Sequence, residues 1–170
     1  MSLVHVAREK NIKNAVLRCK MKKNNINKKD SEKVNIDEIA ESLFDELESL
    51  DVEDLWDSSG ETRDGYIEPV ERADEMIDEV LESYFNELER YVKLSNFNVA
   101  NSYCKGMLKG IYKFDKELPT EFSEWATDIA DNFIPGIFYK WEEICLNKNY
   151  INEIEEYITK TLNFKLPKFN

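Results

Sequence analysis

The sequence predicts an all-α fold: an irregular helical bundle of five to seven helices with a central antiparallel αα-hairpin. Three observations carry that expectation. Apolar side chains return every three or four positions from Asn35 onward, the period of helices with one buried face. Only 5 Gly and 4 Pro interrupt 170 residues, too few breakers for the many turns of a β-rich fold. An apolar content of 42% is enough to give a chain of this length one hydrophobic core.

The elements follow in order. Val4, Ala7, Ile12, Ala15, Val16 and Cys19 share one face of a first helix, and the polar run Lys22 to Lys29 reads as a linker. Asn35 with Glu38 three residues on has the form of a capping box, opening a helix through Ile36, Ile39, Ala40, Leu43, Phe44, Leu47 and Leu50. A short acidic turn, Asp51 to Asp57, leads into the turn-rich loop Ser58 to Gly65. Pro69 suits a first helical turn, and the next helix runs from about Val70 to Leu94, burying Val70, Ala73, Ile77, Val80, Leu81, Tyr84, Leu88, Tyr91 and Val92. The connection Ser95 to Asn98 is short, so the helix from Val99 to Tyr112 must return antiparallel. Gly106 and Gly110 on that helix each cost about 1 kcal/mol relative to Ala, which points to close packing of another helix there. Pro119 and Thr120 stop it. A further helix carries Phe122, Trp125, Ile129 and Phe133 and is broken by Pro135-Gly136. Two short stripes complete the bundle, one in Ile137, Phe138, Trp141, Ile144 and Cys145, the other in Ile151, Ile154, Tyr157, Ile158 and Leu162.

Charge divides the chain into a segment 1–33 and an acidic helical domain 34–170. The first holds ten Lys or Arg against three acids; the second holds 13 basic residues against 32 acidic ones, giving the net charge of -12. Such a body repels phosphates and acidic membranes, so nucleic acid is expected only at residues 1–33, through counterion release. No aromatic residue interleaves with the basic ones there, which favours a helix laying its basic face on the protein's own acidic surface, or the trailing edge of an upstream domain. No apolar run reaches the roughly 18 residues of a membrane span, and the N-terminus lacks a signal-peptide core. A cytoplasmic protein is expected, with Cys19, Cys104 and Cys145 as buried apolar residues in a reducing compartment.

Complete catalytic sets are missing from the sequence. His5 is the only histidine, which removes Glu-x-x-His di-metal sites and imidazole-assisted nucleophiles. Asp57, Ser59, Glu61, Arg63 and Glu68 mimic EF-hand spacing, but Thr62 stands where the loop requires Gly. Glu38 with Glu41, and Glu71 with Asp74, match the bare spacing of the ExxE and ExxD pairs in all-α nucleoside triphosphate pyrophosphohydrolases, which bind Mg²⁺ between two helices. Among 35 acids such pairs recur by chance, and Glu38 already has a capping role, so no cofactor or metal is expected. The 20 aromatic residues suggest a surplus over the core, with Trp56, Tyr66, Trp125 and Trp141 as a surface for a protein partner that is basic or amphipathic.

Two stretches, Leu55-Trp56-Asp57 with Arg63-x-Gly65-Tyr66, and Tyr103-Cys104-Lys105-Gly106-x-Leu108-Lys109-Gly110-Ile111-Tyr112, resemble helical regions of uncharacterised prokaryotic proteins that lie downstream of a SWIM-type zinc finger. The resemblance spans about Asp51 to Trp125 and omits the zinc motif itself. It implies an accessory helical module and assigns no catalytic residue. The expected function is therefore non-catalytic protein interaction, with the Mg²⁺-dependent pyrophosphohydrolase as the alternative.

Overall fold

The computed structural model describes residues 34–62, 65–117 and 120–167. The expectations for His5, Cys19 and the basic segment 1–33 lie outside them, as do Arg63 and Pro119. Among the described residues the chain forms six α-helices and one two-stranded sheet: α1 (Ile36–Glu48), α2 (Val52–Ser58), β1 (Gly60–Thr62), β2 (Gly65–Ile67), α3 (Pro69–Lys93), α4 (Phe97–Glu117), α5 (Ile129–Ile144) and α6 (Lys148–Glu156). A 3₁₀ turn (Glu121–Glu124) precedes α5, and a π-helical turn (Tyr157–Thr161) extends α6. The architecture is an all-α bundle.

Helix starts are set by short polar side chains. Asn35 accepts a hydrogen bond from the Asp37 amide at 3.0 Å, and its side-chain amide donates to Glu38 at 3.3 Å, closing the first turn of α1. Asp51 accepts from the Glu53 amide at 2.8 Å and starts α2, so the acidic stretch read as a turn is a two-turn helix with Leu55 fully buried. The loop expected over Ser58 to Gly65 is mostly a hairpin, with Gly60, Glu61 and Thr62 opposite Ile67, Tyr66 and Gly65. Three residues per strand are too few for a period of two to stand out in the sequence.

Helix α4 is the centre of the bundle. Helices α1, α3, α5 and α6 all pack against it, which explains its eleven buried residues, polar Asn101 included. Asn101 donates to Glu153 of α6 at 2.6 Å. Helices α3 and α4 form the expected antiparallel hairpin, and Tyr103 of α4 packs 5.6 Å from Tyr91 and 6.1 Å from Tyr84 between ring centroids. Along α3 the expected stripe turns inward except at its start, with Val80 and Val92 only half-buried at its edges. Val70 is 40% exposed, and Met76 joins the core instead.

Gly106 and Gly110 are the floor on which α1 lies. A Cβ at Gly106 would stand 2.6 Å from Cβ of Ile39, and one at Gly110 would stand 3.0 Å from the Ala40 carbonyl oxygen. Ion pairs flank this seam, Lys109 to Asp37 at 2.6 Å and Lys113 to Glu41 at 2.5 Å, with the Lys113 ammonium 4.0 Å from the Phe44 ring centre. Tyr84 ties α3 to α1 by donating to Glu46 at 2.8 Å, and burial pushes its phenol up to about 12.

The late helices correct one expectation. Pro135-Gly136 does not break the chain; α5 runs through both from Ile129 to Ile144. The break falls earlier, at Asp128, whose backbone is left-handed with φ 55. Asp128 makes no side-chain cap, and Asp115 of α4 takes that part, accepting from the Ala130 amide at 3.0 Å. Proline deprives the helix of one hydrogen bond and costs about 3 kcal/mol. Burial of Phe133, Ile134, Ile137, Phe138 and Trp141 outweighs that loss, at about 1.5–3 kcal/mol for each apolar side chain buried.

Candidate functional site

Of the four aromatic residues expected at the surface, the structure brings two together. Trp56 at the end of α2 meets Trp125 edge-on, with ring centroids 4.6 Å apart and planes at 77°. Trp56 remains 48% exposed and Tyr66, on β2, 61%. Trp141 corrects the expectation: it is wholly buried, and its indole N–H donates to the Tyr150 carbonyl at 3.4 Å. Helix α5 turns its aromatic side inward toward α4 and α6, a choice that helical spacing alone does not make.

The carboxylate pairs stay apart. Glu41 is held by Lys113 and Glu38 by Asn35, while Glu71 is exposed and Asp74 is partly buried on α3. Among the described residues no three His, Cys, Asp or Glu side chains come within reach of one metal ion. Hard divalent cations take six or more oxygens from carboxylates, carbonyls and water, and among the described residues the two carboxylate pairs do not converge in that way. Cys104 and Cys145 are both fully buried, and burial pushes each thiol up, away from the reactive thiolate.

A different feature stands out between α3 and α5. Both helices lie against α4, and the space left between them is a groove with an acidic half of about 570 Å³ and an apolar half of about 240 Å³. Asp78, Phe85 and Lys140 line both halves, so the two are continuous. The α3 wall presents Glu75, Asp78, Glu79, Glu82 and Glu89, residues three, four or seven apart on one helical face. The α5 wall is lined by exposed Gly136 and half-buried Lys140 and by the edges of the core residues Phe133 and Ile137, at the same helical spacing.

Among the described residues the groove's charge is only partly compensated. Arg72 reaches Glu75 at 3.0 Å and Glu79 at 2.9 Å, and Lys140 bridges to Glu89 at 3.2 Å. Asp78 and Glu82 form no ion pair among the described residues. Burial and then the charge of Glu75 raise the Asp78 carboxyl above its ordinary range. Asp74, one turn earlier, is raised by burial and then by Asp78, and its Oδ1 is buried with no hydrogen-bond partner among the described residues. Glu89 shows the reverse, lowered by hydrogen bonds from Lys93 and Lys140. Cations thus relieve this wall where they reach it. Sequence reading missed the groove because an acidic stripe does not stand out among 35 acids; its legible signals were the acids beside the apolar stripe of α3 and a glycine inside the α5 pattern.

Among the described residues no helix is long and apolar enough to cross a membrane. No protein-family model, no curated protein and no solved structure matches this chain, so its family is not assigned by likeness.

Proposed function

We propose that this chain is a non-catalytic helical interaction module that binds a protein partner of basic or amphipathic surface in the groove between α3 and α5. The observation that carries this reading is the pairing, in one open cleft, of an acidic wall whose Asp78 and Glu82 form no ion pair among the described residues with an apolar floor. Opposite charge steers such a partner to the cleft, and apolar burial then holds it. Exposed Trp56, backed by half-buried Trp125, offers a smaller secondary contact with Tyr66 on the neighbouring strand. An accessory role is also what the resemblance to regions downstream of SWIM-type zinc fingers implies. A reducing, cytoplasmic setting suits the two buried free thiols.

The test is comparative capture. Bait proteins carrying Glu79→Lys and Glu82→Lys together, or Trp56→Ala, are set beside the unaltered chain in affinity isolation with quantitative mass spectrometry. The expected result is a defined set of basic proteins that the charge-reversed bait loses. Recovery of the same set on every bait would overturn the groove as the binding surface, and sustained pyrophosphate release from nucleotides with Mg²⁺ would overturn the non-catalytic reading.

A further inference from the structure

Resting on the interaction-module reading, we infer that the partner enters this groove as a single amphipathic helix that crosses α5 at Gly136 and sets its Lys and Arg side chains along the acidic wall of α3. The first observation is the glycine itself. Gly136 lies in the interior of α5, where Gly costs about 1 kcal/mol relative to Ala. Gly106 and Gly110 carry the same cost for a visible reason, since α1 occupies the space their side chains would take. At Gly136 a Cβ would meet nothing within 4 Å, so no neighbour inside the described protein accounts for the missing side chain. What lies over it is the apolar half of the groove. A bare backbone patch lets a second helix approach to the short end of the usual 8–10 Å interaxial distance, roughly what α1 does at Gly106.

The second observation is dimensional. From Glu75 to Glu89 the acidic wall spans four turns, about 21 Å at about 1.5 Å per residue. A helix of about 15 residues matches that length, with cations three and four apart facing α3 and an adjoining apolar stripe over Phe85, Phe133 and Ile137. The third is electrostatic. Lys140 already places an ammonium against Glu89 from the α5 side, an internal example of the contact that partner cations would repeat at Asp78 and Glu82. The body of a second copy, residues 34–170, fits poorly, because its 32 acids against 13 basic residues oppose the same wall.

The experiment uses the full chain and two dye-labelled synthetic peptides of one composition, read by fluorescence anisotropy. One places its Lys residues on a single helical face beside a Leu stripe; the other distributes the same residues around the helix. The patterned peptide is expected to bind about tenfold or more tightly than its shuffled isomer. Gly136→Leu fills open space, so its thermal midpoint holds or rises, and it is expected to weaken the patterned peptide by about tenfold or more. Glu79→Lys with Glu82→Lys should weaken it as well and flatten its dependence on salt. Equal affinity for both peptides, or no binding of either, overturns the single-helix engagement. Full affinity in a folded Gly136→Leu protein overturns the crossing point, and if charge reversal still weakens binding, the interaction-module reading stands without it.

Discussion

Gly106 and Ile39 stand so close that a single added carbon on the glycine would lie 2.6 Å from the isoleucine Cβ. This contact is between backbone-anchored atoms, so neither residue can swing away. Gly106→Ala is therefore expected to cost about 1–3 kcal/mol, despite the helix propensity it gains, because the whole of α1 must shift. Gly136→Ala is the matched control and should stabilise by up to about 1 kcal/mol, since no described residue opposes it. Urea unfolding of both variants checks the pair; destabilisation at Gly136 would mean that its open space is closed in solution.

Trp141 illustrates how exposure decides what a mutation reports. It is wholly buried and makes a hydrogen bond to Tyr150, so Trp141→Ala is expected to cost about 3–5 kcal/mol, a large part of an ordinary domain's stability. Lost partner binding in that variant would report unfolding rather than a surface contact. Denaturant midpoints measured alongside binding distinguish the two; an unchanged midpoint would show that the indole is not part of the core.

The edge-on pair Trp56 and Trp125 should be coupled. A double-mutant cycle to Ala is expected to give an interaction of about 0.5–1.5 kcal/mol, since the hydrogen edge of one ring meets the π face of the other. Additivity to within about 0.3 kcal/mol would show that the rings do not hold this geometry.

The acids of α3 make stability depend on pH. Burial and then the Asp78 charge raise the Asp74 carboxyl above its ordinary value of 3.8. A raised acid favours the fold when protonated, so its contribution is complete below the unfolded-state value and is lost as pH rises through the folded-state one. Asp74→Asn, which removes the charge at constant shape, is thus expected to raise the melting temperature at neutral pH. The gain should vanish by about pH 3, where both proteins are uncharged at this site. Melting curves across that range test it, and a loss of stability at neutral pH would show that the Asp74 charge has a partner in solution.

Much of the fold was legible in the sequence, for local reasons. Asn35 and Asp51 cap helices through their own short side chains, and the stripe from Ala73 to Tyr91 buries itself wherever a partner surface is offered. Pro135 misled because a proline's local cost was weighed without the burial that outweighs it, and the true break at Asp128 depends on Asp115, fifteen residues from the amide it caps. Glu38 and Glu41 had the right spacing for a metal pair, yet Lys113 of another helix takes Glu41.

Helix periodicity, caps and charge balance are properties of neighbours along the chain, so the sequence by itself determined an acidic bundle wrapped around an α3–α4 hairpin. Which way each helix turns was decided only by how the helices pack together. That packing hid Trp141, set α1 onto Gly106, and left α3 and α5 apart with Gly136 uncovered by any other described residue. A groove is the space two helices fail to fill, and it depends on distances between residues far apart in sequence, which no local pattern encodes.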